Sequence, residues 1–219
     1  MTLVFRFAPP ISTLMARDLV MLRGYEREWI SLERVSPVLV DTIIASEDQG
    51  FCAHNGVEWA ALETQVELWM NGEDARGAST ISMQVARNLF LWQGPSPARK
   101  ALEVPLALWL DLAFGKRRMI EIYINVAELG PRRYGFEAAS LAAFGISSSE
   151  TNRRQAALLV ATLPLPSRRD PASPTRRQIR LASALEPRAR AIGDLALCAR
   201  PVPADPPPQP RPRPDDLDG

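Results

Sequence analysis

Ser46–Phe51, SEDQGF, running on to His54 and Gly56, is the stretch from which this chain is best read. Two further segments follow it in order, GASTISMQVARNL (Gly77–Leu89) and RKALE (Arg99–Glu103). Together they set two carboxylates, Glu47 and Glu103, on either side of a run rich in Gly, Ser, Thr and Gln. Paired carboxylic groups can act as general acid and general base at a glycosidic centre, so the pattern points to sugar chemistry.

The segments flanking this trio read as helices. Ser36–Ser46 has Ser36 as N-cap, Pro37 at the first helical position and apolar residues at helical spacing, and it delivers Glu47 to its C-terminal end. Apolar residues between Gly56 and Gly72 suit a second helix, closed by Asn71-Gly72, and 73–78 reads as a mobile loop. Thr80–Leu91 is amphipathic, with Ile81, Val85 and Leu89 on one face and Gln84, Arg87 and Asn88 elsewhere. From Ala98 to Phe114 the chain is strongly apolar, and Pro105 predicts a helix start or a kink near it. Further helices are expected over Lys116–Leu129, Ala138–Phe144, Arg153–Leu163 and Arg176–Ile192, the last broken at Pro187. No sustained period-two pattern or internal repeat interrupts them, so the fold class is mainly α.

The 219 residues fit one domain with tails. The expected organisation is an N-terminal segment over 1–28, a domain over 29–195 and a proline-dense tail over 196–219. The tail, ending PVPADPPPQPRPRPDDLDG, has too little apolar content to offset ordering entropy and is expected to be disordered. A net charge of +1 gives no support for nucleic-acid binding. Local basic clusters, such as Lys116-Arg117-Arg118 and Arg168-Arg169, could meet phosphate or an anionic bilayer, although a solvated face explains each one alone. Cys52 and Cys198 are too few and too distant to declare a disulfide framework, so a free-thiol state stays open for both and an extracytoplasmic location is neither required nor excluded. No apolar stretch reaches the roughly 18 residues of a membrane span. The apolar start, MTLVFRFAPPISTLM, is broken by Arg6, Pro9 and Pro10 and is neither a span nor a clean signal peptide.

Residue by residue, bland readings compete with chemical ones. Glu103 lies in an apolar run, where a carboxylate needs a partner, and Arg99 or Lys100 could serve as well as a catalytic role could. His54, the only histidine, reads as a structural prop for the loop holding Glu47. With only Cys52 near it, His54 makes no zinc site, and no metal ligand is assigned. Ser79, Thr80, Ser82, Gln84, Arg87 and Asn88 could cap a helix and face water, or could recognise sugar and pyrophosphate.

The ordered set of motifs resembles the peptidoglycan glycosyltransferase family, the transglycosylase domain of class A penicillin-binding proteins, and is most similar to its monofunctional biosynthetic members. The family pattern E-D-x-x-F-x-x-H-x-G is met by Glu47, Asp48, Phe51, His54 and Gly56. The pattern G-G-S-T-I-[ST]-Q-Q-[LV]-x-K-N-L is met by Gly77, Ser79, Thr80, Ile81, Ser82, Gln84, Val85, Asn88 and Leu89. R-K-x-x-E is met by Arg99, Lys100 and Glu103, and a fourth motif by Lys116, Ile120, Glu121, Tyr123, Ile124 and Asn125. The likeness spans about Trp29 to Pro174. Ala78, Met83 and Arg87 depart from the second motif, and Met83 cannot hydrogen-bond as the expected glutamine would, which predicts weaker substrate contact.

The resemblance implies a lysozyme-like, two-lobed, mainly helical domain that polymerises lipid II into glycan strands with inversion, releasing undecaprenyl pyrophosphate. It implies Glu47 as general base and Glu103 as the second catalytic acid, assisting the leaving group. Substrate-binding residues would be Asp48, Phe51, Ser79, Thr80, Gln84, Arg87, Asn88, Arg99 and Lys100, with His54 and Gly56 structural. Mg²⁺ or Mn²⁺ would be the cofactor, with no organic one. Partners would be lipid II, the growing glycan, the bacterial inner membrane from its periplasmic side, and other cell-wall synthesis proteins. Family members usually begin with a transmembrane helix, so the chain is expected to follow a missing anchor. The alternatives are a lysozyme-like hydrolase or lytic transglycosylase, and a weakly active partner of cell-wall synthesis.

Overall fold

The computed structural model describes residues 2–72, 77, 79–94 and 96–201. The expected loop over 73–78, Gly77 apart, lies outside the described residues. Of the tail expected to be disordered over 196–219, the start is ordered, because the 3₁₀ turn Gly193–Ala199 carries Cys198 into a disulfide, and the part beyond Pro201 lies outside the described residues. Nine helices occur among those described: α1 (Thr2–Phe5), α2 (Thr13–Val20), α3 (Pro37–Glu47), α4 (Trp59–Met70), α5 (Ile81–Phe90), α6 (Pro97–Val126), α7 (Phe136–Phe144), α8 (Arg153–Val160) and α9 (Arg176–Ala191). Short 3₁₀ turns lie at Leu32–Arg34 and Gly193–Ala199. Three short strands, β1 (Glu26–Arg27), β2 (Glu128–Gly130) and β3 (Arg133–Tyr134), form a sheet in the order β1-β3-β2. β1 runs parallel to β3 and β2 antiparallel to it.

The centre of the fold is α3. Pro37 opens it, and Leu39, Val40, Thr42, Ile43, Ile44 and Ala45 are buried around its whole circumference, as expected of a helix enclosed on all sides. It packs against α8 and α9, while α5 packs along α6. Ser36 precedes α3 as expected, but its hydroxyl donates to the Thr151 carbonyl rather than capping the helix.

A main hydrophobic core runs through α3, α5, α6, α8 and α9, and a separate small cluster joins Val57, Met83 and Ala107 with Leu62, Val104 and Leu108. Gly56 sits against the smaller cluster, with φ +86°, and a Cβ there would lie 2.6 Å from the Ala107 carbonyl oxygen. Both the left-handed backbone and the close approach of α6 require glycine.

Several sequence expectations are corrected. Pro105 neither starts nor breaks α6, and the non-helical residue is Gly115 (φ 68°, ψ 169°), which adopts a conformation open to glycine. Pro187 likewise lies within α9 without ending it. The helix expected to reach Leu129 stops at Val126, because Glu128–Gly130 is drawn into the sheet against β3. The open question of Cys52 and Cys198 is answered by a disulfide, which folding makes possible by laying the 3₁₀ turn after α9 beside the loop after α3. Among the described residues, no helix is long and apolar enough to cross a membrane.

Candidate active site

Glu47 is the last residue of α3, held where a buried helix reaches the surface of the fold. Its two carboxylate oxygens are separately engaged. Ser46 Oγ donates to Oε1 at 2.8 Å, and Gln84 Nε2, from α5, donates to Oε2 at 3.1 Å. Tyr123 Oη, from α6, donates to Gln84 Oε1 at 3.2 Å. Burial, with the nearby Glu47 charge adding to it, raises the Tyr123 phenol well above its usual range, so this hydroxyl remains a donor.

The neighbouring Asp48 faces inward. His54 Nε2 lies 2.9 and 3.1 Å from its two oxygens, and the Ile81 backbone N–H donates to Oδ2 at 2.9 Å. That N–H is the first of α5, so a carboxylate meets the positive end of a helix. Thr80 caps the same helix by accepting from the Met83 N–H, while its hydroxyl donates to the Gly56 carbonyl at 2.6 Å. Asp48, His54, Gly56 and Thr80 thus join the loop after α3 to the start of α5.

Three expectations need correction here. Phe51 was expected to contact substrate but is wholly buried, lying under the Lys116 ammonium 4.7 Å from its ring centroid. Asp48 and Thr80 border the smaller cleft, yet their side chains are buried and committed to the protein's own hydrogen bonds. Met83, expected to weaken substrate contact, is fully buried in the smaller apolar cluster, so this departure changes packing rather than the cleft surface.

Two clefts meet at Glu47 and Ser79. The larger, about 440 Å³, is also lined by Gln84, Arg87, Asn88, Tyr123 and Glu128, with Leu14, Leu163, Pro164 and Pro166 as apolar wall. The smaller, about 210 Å³, adds Glu58, Gly77 and Arg188. Arg188 reaches across from α9 and donates to the Ala45 carbonyl at 2.9 Å, near the free C-terminal end of α3.

Glu103 is not among the residues lining either cleft and is 1% exposed. Its Oε2 accepts from Lys100 Nζ at 3.1 Å, and Oε1 lies 3.2 Å from Arg99 Nη1. Lys100 also donates to Ser79 Oγ, which carries its charge to the junction of the clefts. Burial lowers the Lys100 pKa; Glu103 opposes the shift, and Arg87 and Arg99 add to it. Arg87 Nε and Arg99 Nε are buried without a hydrogen-bond partner among the described residues. A cluster of three cations with unused donors is equipped to meet an anion of high charge.

The described residues offer no preformed protein cage for Mg²⁺ or Mn²⁺. No group of three or more ligating side chains is found among the described residues, and the Glu103 carboxylate already faces two cations.

A carboxylate between two clefts, with a cation cluster beside it, suits transfer between two bound sugars, one bearing an anionic leaving group. Residues 15–190 match the family described as Transglycosylase. The chain belongs to the transglycosylase family. Its relatives include the "Biosynthetic peptidoglycan transglycosylase" of Rhizobium meliloti (strain 1021), 50% identical over 195 residues, covering 89% of this chain and 83% of the relative. The protein of the same name from Agrobacterium fabrum (strain C58) is 50% identical over 192 residues, 88% of this chain and 85% of the relative. That of Brucella suis biovar 1 is 46% identical over 194 residues, 89% and 87% respectively.

Within this transglycosylase-family site, sequence reasoning passed over three residues. Tyr123 was matched to a motif without a role, although a tyrosine among apolar neighbours needs a polar partner for its hydroxyl. Glu128 and Arg188 carried no local signal, because only the turn into β2 and the packing of α9 on α3 bring them to the clefts.

Proposed function

We propose that the chain is a biosynthetic peptidoglycan glycosyltransferase that polymerises lipid II. The observation that carries this reading is the placement of Glu47 at the junction of two clefts, its oxygens held by Ser46 and Gln84, next to the Arg87–Arg99–Lys100 cluster. Glu47 takes the proton of the acceptor 4-hydroxyl as that oxygen bonds to the anomeric carbon of the donor. The bond from that carbon to the pyrophosphate oxygen breaks on the opposite face, giving inversion, and undecaprenyl pyrophosphate leaves with the electron pair. Lys100, Arg99 and Arg87 meet the developing charge, as preorganised cations do at transferring phosphate groups. Glu103 serves the reaction by holding Lys100 and Arg99 in place, a role consistent with its burial.

In this reading the enzyme works at a membrane surface facing an oxidising compartment, the periplasmic face of the inner membrane. Supporting this, Trp59, Val66 and Met70 on α4 and Leu102, Trp109 and Leu112 on α6 are exposed. Exposed apolar and Trp side chains suit the bilayer interface. The Cys52–Cys198 disulfide belongs to an oxidising compartment.

The test is incubation with lipid II and, separately, with purified cell wall. Growing polymer on a gel, abolished by Glu47→Gln with the helical fold intact, is the expected result. Release of soluble fragments from the wall without polymer growth would assign the site to cleavage instead. Flotation of the protein with anionic vesicles, reduced by Trp109→Ser and Leu112→Ser together, checks the membrane placement.

A further inference from the structure

We propose that Glu128 contacts substrate, its carboxylate accepting a hydrogen bond from a neutral hydroxyl or amide N–H of the saccharide in the larger cleft; this rests on the glycosyltransferase reading. Glu128 is the first residue of β2, where the chain leaves α6, and it lines the same cleft as Glu47, Gln84, Arg87 and Tyr123. It is half-buried, yet among the described residues its carboxylate makes no ion pair and accepts no hydrogen bond. The carboxylates nearest to it are engaged: Glu47 of the same cleft by Ser46 and Gln84, and Asp18 by Tyr134. Burial raises its carboxyl above the usual range, opposed by the Arg17 charge, as expected of a carboxylate short of donors.

Polar groups that lose water without gaining a partner are costly, so an unengaged carboxylate facing a cleft is a site for donors brought by a ligand. Its negative charge disfavours pyrophosphate, whereas Arg87 in the same cleft favours it. The cleft is therefore polar along its length, with pyrophosphate toward Arg87 and saccharide toward Glu128. The apolar wall of Leu14, Pro164 and Pro166 gives the C–H face of a sugar ring a surface, while Glu128 meets its hydroxyl and amide rim.

The test compares wild type, Glu128→Ala and Glu128→Gln in lipid II polymerisation. Loss of one hydrogen bond to a charged acceptor predicts a KM about ten-fold higher for Glu128→Ala, with kcat changed less than about two-fold and a smaller KM effect for Glu128→Gln. The thermal midpoints should stay close to wild type, which separates contact from folding. The same KM ratio should hold for lipid II with its peptide amines acetylated; disappearance of the penalty would make the ligand a peptide ammonium and overturn the proposal. An unchanged KM for Glu128→Ala, or a fall in kcat alone, would also overturn it. Lipid II in detergent is also titrated into Glu47→Gln and Glu47→Gln/Glu128→Ala. About ten-fold weaker binding by the double variant is expected, and equal affinity counts against a contact. Failure of the wild type to polymerise would refute the glycosyltransferase reading, and this titration would still decide whether Glu128 touches the ligand.

Discussion

Gln84 Nε2 donates to Glu47 Oε2 across 3.1 Å, and the same amide accepts from Tyr123 Oη at 3.2 Å. The proposed base is therefore oriented by a chain of hydrogen bonds that begins in the core and crosses from α6 through α5 to the end of α3. A carboxylate at a helix C-terminus sits at the negative end of the dipole, and Arg188, donating to the Ala45 carbonyl, places a positive charge there.

Removing the middle of that chain should matter more than removing its far end. Gln84→Ala is expected to lower kcat by about 10- to 100-fold, since a base freed to rotate loses its aligned geometry. Tyr123→Phe leaves the Gln84–Glu47 bond in place and should cost about 3- to 10-fold, the effect of one hydrogen bond. Single-turnover polymerisation rates distinguish the two, and equal effects would show that Gln84 does not orient Glu47.

Lys100 predicts an alkaline limit to activity. Burial, helped by Arg87 and Arg99, lowers its pKa from the ordinary 10.5, so the ammonium is lost at a lower pH than on a free lysine. Activity should fall on the alkaline side below pH 10.5, and Lys100→Arg, which keeps its charge, should retain activity to higher pH. Rate profiles of both proteins across pH 7 to about 10.5 check this, and coincident alkaline limbs would remove Lys100 as the source.

The helices were legible in the sequence because their caps and apolar spacing are local: Pro37 opens α3, and Thr80 caps α5. What was not legible depends on distant packing. Pro105 and Pro187 looked like breaks, but α6 and α9 continue through them, while Gly115 supplies the break. Ser79, Gln84, Arg87 and Asn88 return to line the cleft beside the proposed base, yet Asp48, Phe51 and Thr80 turn inward. A motif shows that these side chains are needed together without saying which face substrate. Cys52 and Cys198, 146 residues apart, meet only after α9 has packed on α3.

Tyr134 and Asp18 predict how acid affects the fold. Tyr134 Oη donates to buried Asp18 Oδ2 at 2.7 Å, and this bond is the largest cause holding the Asp18 carboxyl below its ordinary 3.8, with Arg17 assisting. A depressed folded-state pKa adds stability above the unfolded value, and that stability is lost as pH falls through the folded value. Tyr134→Phe should therefore cost about 1–3 kcal/mol at neutral pH by leaving the carboxylate short of a donor. Urea unfolding should show this penalty shrinking below pH 3.8. A penalty independent of pH would assign it to packing alone.

The disulfide should hold the site loop as well as the fold. Cys52 follows Phe51 and lies two residues before His54, so its link to Cys198 fixes the loop that supports Asp48. Arg200, two residues beyond Cys198, reinforces the link through paired hydrogen bonds to Asp41 of α3 at 2.8 and 3.0 Å. Closing so long a loop is worth about 2–5 kcal/mol, equivalent to roughly 5–15 °C in thermal midpoint for a domain of this size. Replacing both cysteines by serine should lower the midpoint by that amount, and dithiothreitol should do the same to wild type but not to the double variant. Activity should fall with it, because His54 and Asp48 would lose a fixed loop. Two free thiols titrated in protein denatured without reductant would show that the link does not form.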